Sequence, residues 1–263
     1  MTLTLASWNV NSIKARLPNV LDWLKEKSPD VVCLQEIKTV DEAFPRLEIE
    51  ALGYNVETAG QKSYNGVAIL SKRPIEEIAH RVLPGNEDEP QARYIEAVIA
   101  AETGPVRVAS IYLPNGNPAP GPKYEYKLVW MKRLKDHAAE LLRLEEPVIL
   151  AGDYNIIPRD DDVHDAAAWA GDALIREESR DAFYAILWLG YADAFELADG
   201  RAHQYTFWDY QAGAWPKNHG IRIDHLLLSP KAADRLEGVE IDRDPRGEQK
   251  ASDHTPIIGT FRL

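Results

Sequence analysis

The sequence predicts one α/β domain, residues 1–263, with mixed or antiparallel sheets rather than a strict strand–helix–strand succession. Three observations carry this. Short runs of apolar, strand-forming residues recur from end to end. Helical periodicity is confined to a few stretches, inserted unevenly among them. No repeat, low-complexity block or linker interrupts the chain, which is long enough for a sizeable core.

Leu3 to Trp8 alternates apolar and polar residues and reads as a strand ending at Asn9-Val10-Asn11-Ser12. Ser12 is a candidate N-cap for a helix over 13–27, with Ile13, Leu17, Val20, Leu21 and Leu24 at helical spacing. Pro18 inside that pattern predicts a start only near Pro18. After the turn Ser28-Pro29-Asp30, the strand Val31 to Leu34 delivers Gln35 and Glu36. A short helix is expected from Asp41 to Leu52, stopped by Gly53. Strands follow at Gly66 to Ser71, Tyr94 to Ile99 and Val106 to Tyr112, then a Pro-rich loop. Leu128, Met131, Leu134, Ala138, Leu141 and Leu142 mark a helix from about Tyr124 to Leu144. Val148 to Leu150 reads as a buried strand, ended by Gly152 and followed at once by Asp153 and Asn155. Helical stretches are expected near 166–168 and 180–189, and strands at Tyr205 to Tyr210, Ile223 to Leu228 and Ile257 to Phe261.

Composition narrows the function. Hydrophobic residues make up 45% and charged ones 27%, as in ordered globular proteins. A net charge of -12 argues against a protein that merely coats DNA. It leaves room for a nucleic-acid enzyme with a carboxylate metal site and a basic rim drawn from Lys14, Arg16, Lys38, Arg93, Lys123, Lys217 and Arg222. No apolar run spans a bilayer, and Met1 to Leu5 carries no basic n-region of a signal peptide. The single Cys33, in an apolar strand, reads as a small core residue in a reducing compartment, which predicts a cytoplasmic protein.

Polar residues gather where strands end: Asn9 and Asn11, Glu36, Tyr112 with Asn115, Asp153 with Asn155, Asp224, and Asp253 with His254. Asp153 and Asn155, two apart on extended backbone, share one side and can hold a water or phosphate; an Asx turn closing the strand accounts for them equally well. Asp224 is more telling, because it sits beside the apolar run Leu226-Leu227-Leu228, where an unpaired charge is costly. Ser252-Asp253-His254 offers it a histidine partner. There is no Gly-x-Ser-x-Gly elbow, His-Glu-x-x-His motif or cysteine cluster. Glu, Asp and Asn oxygens suit a hard ion, Mg²⁺ or Mn²⁺, and phosphate chemistry.

Seven stretches together carry a resemblance: Ser7 to Ser12, Leu34-Gln35-Glu36-Ile37-Lys38, Tyr112-Leu113-Pro114-Asn115-Gly116, Gly152-Asp153-Tyr154-Asn155, Tyr205 to Tyr210, Ile221 to Leu227, and Ser252 to Pro256. On these the sequence resembles the exonuclease III family of DNA-repair nucleases, within the DNase-like endonuclease/exonuclease/phosphatase superfamily. The resemblance implies a four-layer sandwich of two packed mixed sheets flanked by helices. It implies an Mg²⁺- or Mn²⁺-dependent enzyme acting on double-stranded DNA, with 5′ incision at abasic sites and 3′→5′ exonuclease activity. It also implies roles for residues. Glu36 would be the main metal ligand, with Asn9 nearby and Asp253 completing or flanking the site. Asp153 would orient or deprotonate the attacking water, held by Asn155. His254, paired with Asp224, and Tyr112 would contact the scissile phosphate. Phe207, Trp208, Ile221 and Ile223 would form the pocket for an extruded abasic sugar, with Asn115 and Arg222 also binding substrate. Position 11 departs from relatives that carry Asp, and position 221 from relatives with a larger aromatic. A monomer without membrane attachment is the expectation. The alternatives are a phosphoesterase for inositol phosphates or lipid head groups and a non-catalytic DNA-binding relative.

Overall fold

The computed structural model describes residues 2–88 and 90–262. Two six-stranded sheets pack face to face. The first uses β1 (Leu3–Asn9), β2 (Val31–Gln35), β3 (Asn55–Ala59), β4 (Val67–Ser71) and, from the far end of the chain, β11 (Leu236–Ile241) and β12 (Ile257–Phe261). Its order is β11-β12-β1-β2-β4-β3. The second contains β5 (Ile75–His80), β6 (Tyr94–Ile99), β7 (Val106–Tyr112), β8 (Val148–Asp153), β9 (Ala192–Asp193) and β10 (Asp224–Leu228), in the order β5-β6-β7-β8-β10-β9. Within each sheet one pair is parallel, β1 with β2 and β7 with β8, and the other pairs are antiparallel.

Alternation of side chains builds the layers. Leu3 and Leu5 of β1 join Cys33, Ile69, Ile95, Val108, Ile149 and Leu226 in the core between the sheets. Ala6 and Trp8, on the other face of β1, pack against Val20, Trp23 and Leu24 of α1 (Ile13–Lys27) and Ile49 of α2 (Arg46–Glu50). Likewise Ile111 and Leu150 of the second sheet meet Trp130, Met131, Leu134 and Leu141 of α3 (Pro122–Arg143) and Phe183 and Ile186 of α4 (Glu177–Leu187). The result is the expected four layers, helix–sheet–sheet–helix. Four one-turn helices complete the chain: α5 (Ala194–Ala198), α6 (Ala214–Lys217), α7 (Pro230–Ala233) and α8 (Asp244–Gly247). Among the described residues no helix is long and apolar enough to cross a membrane. Cys33 is fully buried, and burial pushes its thiol far up, as expected of a core residue.

Four local expectations are corrected. α1 begins at Ile13 despite Pro18, because the Ser12 side chain caps it and the proline sacrifices only the bond to the Lys14 carbonyl. The helix expected over 41–52 is split into a 3₁₀ turn, Asp41–Ala43, and α2, because Pro45 cannot donate to continue it. Residues 166–168 form turns, not helix. Residues 205–210 make only isolated bridges, Phe207 with Ile221 and with His254.

Candidate active site

The two parallel pairs run their carboxyl ends toward one rim, where each sheet delivers polar residues. In the second sheet the register sets Tyr112 beside Asp153 and Asp153 beside Asp224, so three neighbouring strands present a row. A side chain at position 152 would drive its Cβ to 2.0 Å from the Ile111 carbonyl oxygen, so only glycine lets β7 and β8 close up just before Asp153. From the first sheet come Asn9 at the end of β1 and Glu36 just past β2. The lead-in to β12 adds Asp253 and His254. Asn11, Glu36 and Asn155 have φ of 44°, 51° and 48°, a left-handed conformation that non-glycine residues seldom adopt.

Of these, Glu36, Tyr112, Asp153, Asn155, Asp253 and His254 line a cavity of about 300 Å³. Glu36, Asp153 and His254 place one ligand atom each within 4.8 Å of one another. Asn9 spans the two sheets: its Nδ2 donates to Glu36 Oε1 at 2.8 Å and to Asp153 Oδ2 at 2.9 Å. Its Oδ1 accepts the Asn11 amide at 3.0 Å, so Asn9 sets the carboxylates in place and keeps one lone pair of that oxygen for a further partner. Lys38 Nζ sits 2.9 Å from Glu36 Oε2. Burial alone would push the Glu36 carboxyl up; Lys38 and Asn9 outweigh it and hold the group below the usual range. Asn11 donates to Asp253 Oδ1 at 3.1 Å, which keeps Asp253 on the cavity wall, flanking the other carboxylates.

Asp153 is fully buried, and burial together with Asp224 and Glu36 pushes its carboxyl up to about 7 against the pull of His254 and Asn9. Asn155 steadies it through the main chain, its N–H donating to Asp153 Oδ1 at 2.9 Å. The Asn155 side chain instead accepts from Asn115 Nδ2 at 3.1 Å and donates to the Leu113 carbonyl. His254 donates from Nδ1 to Asp224 Oδ2 at 2.9 Å, and its Nε2 lies 3.7 Å from Asp153 Oδ2. Burial pulls the imidazole down, but Asp224 and Asp153 prevail and raise it to about 10. His254 is therefore a cation at neutral pH, suited to a phosphoryl oxygen rather than to a metal. Tyr112 is pushed well above 10 by burial, Glu36 and Asp153, so it stays a hydroxyl donor; Arg93 stacks on its ring, 4.7 Å from the centroid.

The donor set fits a hard dication. Glu36 and Asp153 offer closely spaced carboxylate oxygens to the cavity, which Asp253 also lines, as Mg²⁺ or Mn²⁺ requires. Phe207, Ile221, Ile223 and Trp169 add apolar side chains to the lining of the same cavity.

Two expected substrate contacts are corrected. Trp208 is fully buried outside the cavity, packed edge-on to Trp215 at 4.8 Å with its Nε1 donating to Asn218. Arg222 is sealed in the interior, donating to Asp162 at 2.9 Å, Asp193 at 2.7 Å and Glu196 at 2.6 Å. A guanidinium matching three carboxylates cannot also reach DNA. Arg222→Leu should cost about 3–5 kcal/mol in chemical denaturation, since two buried carboxylates lose their cation; a loss below about 1 kcal/mol would mean that water or Arg159 replaces it.

One residue of the site carried no signal in the sequence. Lys127 of α3 is fully buried, and its Nζ donates to the carbonyls of Asn155 at 2.7 Å, Asn115 at 3.0 Å and Ala173 at 3.4 Å. Burial pulls its ammonium down to about 7. Gly116, at φ 89°, leaves room for the lysine stem, which a Cβ there would meet at 2.6 Å.

The Asp224–His254 pair gives a pH prediction. The fold favours protonated His254, a contribution complete below pH 6.5 and lost as pH rises through about 10. Asp224→Asn removes its strongest support and leaves burial to win. The alkaline limb of the kcat–pH profile should then move down by several pH units; an unmoved limb would show that His254 does not act as a cation.

Comparison with known proteins places this geometry. A family model described as "Endonuclease/Exonuclease/phosphatase family" matches residues 6–254. The chain belongs to this family. Exodeoxyribonuclease III of Haemophilus influenzae is 34% identical over 97% of this chain and 98% of its own length. Among solved structures, an AP endonuclease from Archaeoglobus fulgidus superposes with a TM-score of 0.93 at 34% identity, covering 99% of this chain and all of that one. A 3′ phosphatase from Neisseria bound to a product DNA hairpin gives 0.95 at 33% identity over 99% of this chain and 100% of its own. The two mixed sheets between helices are thus the fold of this family, and the cavity lies at the end of its parallel strand pairs.

Proposed function

We infer that the chain is a metal-dependent DNA-repair nuclease of the exodeoxyribonuclease III type, hydrolysing phosphodiesters 5′ to abasic sites and at DNA 3′ ends by direct attack of water. One observation carries this reading: the buried carboxylate of Asp153, held near 7, clusters with Glu36 and a cationic His254 in one cavity that apolar side chains also line. The names of its relatives, exodeoxyribonuclease III, AP endonuclease and DNA-bound 3′ phosphatase, support DNA as the substrate.

The chain's own groups divide the work. Asp153, fixed by Asn9 and the Asn155 N–H, orients a water and takes its proton; a base near 7 suits that task at neutral pH. His254 and Tyr112 donate to the phosphoryl oxygens as charge develops, in a pocket where water competes little. Mg²⁺ or Mn²⁺ held by Glu36, with Asp253 alongside, would supply further charge for those oxygens and for the departing 3′ oxygen. Phe207, Ile221 and Ile223 offer an apolar surface for a deoxyribose without its base, and extruding such a nucleotide avoids most of the unstacking cost. Asn115 stands at the exposed mouth.

The test uses a labelled duplex with one abasic-site analogue, with Mg²⁺, with Mn²⁺ and with neither, beside intact duplexes with a recessed 3′ end and a 3′ phosphate. A metal-dependent nick 5′ to the analogue supports the reading, and processing of the 3′ ends extends it. Folded protein that cleaves none of them, yet hydrolyses soluble inositol phosphates, would replace DNA as the substrate class.

A further inference from the structure

A second cluster of metal-type ligands lies on the α3 face of the second sheet, away from the catalytic cavity. Tyr94 and Glu96 of β6 point to that side, where Tyr94 packs in the α3 core. His80 of β5 pairs directly with Glu96 across the strands, so both side chains stand on one face. His137 reaches them from α3, its Nε2 2.7 Å from Glu96 Oε2. The two imidazoles stand edge to face with centroids 5.3 Å apart. One ligand atom from each of His80, Glu96 and His137 lies within 4.8 Å of the others.

We propose that His80, Glu96 and His137 form a second metal site, for a transition-metal dication of the Zn²⁺ type, that ties the edge strand β5 to β6 and α3. Two imidazoles and one carboxylate, with a fourth position open to solvent, are a donor set that zinc takes and Mg²⁺ does not favour. Glu96 is fully buried and already locked for the purpose. Tyr94 donates to Oε2 at 2.5 Å and Arg107 to Oε1 at 2.8 Å, the outer contacts that usually orient a ligand carboxylate. Arg107 shares its charge with Glu146 at 3.1 Å, so the two carboxylates and one guanidinium leave net negative charge for a cation. His80 is exposed and makes no hydrogen bond among the described residues, so its ring nitrogens are unused. Ligands about 2 Å from one ion lie at most about 4 Å apart, and rotation of the exposed His80 side chain closes the difference. With the ion between His137 Nε2 and Glu96, the neutral imidazole carries its one proton on Nδ1.

The test titrates Zn²⁺ into the full chain with Mg²⁺ in excess at the catalytic cavity, reading uptake against a chromogenic chelator. Co²⁺ serves as a second probe through its visible absorption. Wild type should take up one equivalent of Zn²⁺ and gain several degrees in Tm. His80→Ala and His137→Ala should each weaken uptake by about tenfold or more. Glu36→Ala should leave it intact, and His80→Ala should keep full nuclease activity in Mg²⁺. His80 is exposed, so that variant folds even if His137→Ala does not. No uptake by wild type, equal uptake by His80→Ala, or loss of uptake in Glu36→Ala would each overturn the proposal.

Discussion

Asp153→Asn should lower kcat by about a thousandfold or more while affinity for abasic DNA changes only a few-fold. The amide matches the carboxylate in shape, so the buried site keeps its packing, but it cannot accept the proton of an attacking water. Asn9 donates to one oxygen of Asp153 and the Asn155 N–H to the other, so the amide nitrogen must oppose one of two donors. Some stability is lost with it, about 1–3 kcal/mol for one mismatched buried group. Single-turnover cleavage and a gel-shift titration separate the two effects. Normal cleavage of bound DNA with weakened binding would remove Asp153 from the proton step and leave it a phosphate contact.

Lys127→Met should reduce kcat by about 10- to 100-fold, with KM for DNA little changed, although Lys127 does not line the cavity. Methionine fills the same space but leaves the Asn115 and Asn155 carbonyls without their donor. Those two carbonyls belong to the loops that carry the Asn115–Asn155 contact and the N–H that fixes Asp153. A displacement of about 1 Å there is enough to spoil alignment of a water with phosphorus. Denaturation should show a loss of about 2–4 kcal/mol, since each orphaned carbonyl costs about 1–3 kcal/mol. Equal falls in kcat and in the fraction folded would reduce Lys127 to a purely structural prop; a fall in kcat at full folding assigns it the positioning role.

What the sequence disclosed and what it hid follow from burial. Asp224 was legible because a charge beside Leu226-Leu227-Leu228 demands a partner, and His254 is that partner at 2.9 Å. Central strands were legible because both faces are covered and their residues run continuously apolar, as in β4 and β8. The strands that went unread, β3, β5, β9 and β11, are the four sheet edges. Edge strands bear charges against mispairing, as Ile75–His80 and Leu236–Ile241 do, and so lose the apolar signature. Lys127 was invisible for a different reason. A lysine on an amphipathic helix reads as solvated, and only the loops folding over it create the carbonyl cage. Trp208 and Arg222 were misplaced because their neighbours Phe207, Ile221 and Ile223 do face the cavity, and adjacency in sequence says nothing about which side a loop residue takes.

The last strand of the fold, β12, lies beside the first, β1, and brings Asp253 and His254 with it. The cutting groups therefore meet only when β12 closes onto β1, across most of the sequence. Until residues near 261 have paired, β1 lacks its antiparallel neighbour and Asp224 lacks its imidazole. Until then the chain holds Glu36, Asp153 and Asp224 without Asp253 and His254. The order of residues along the chain thus ties assembly of the site to the pairing of β1 with β12.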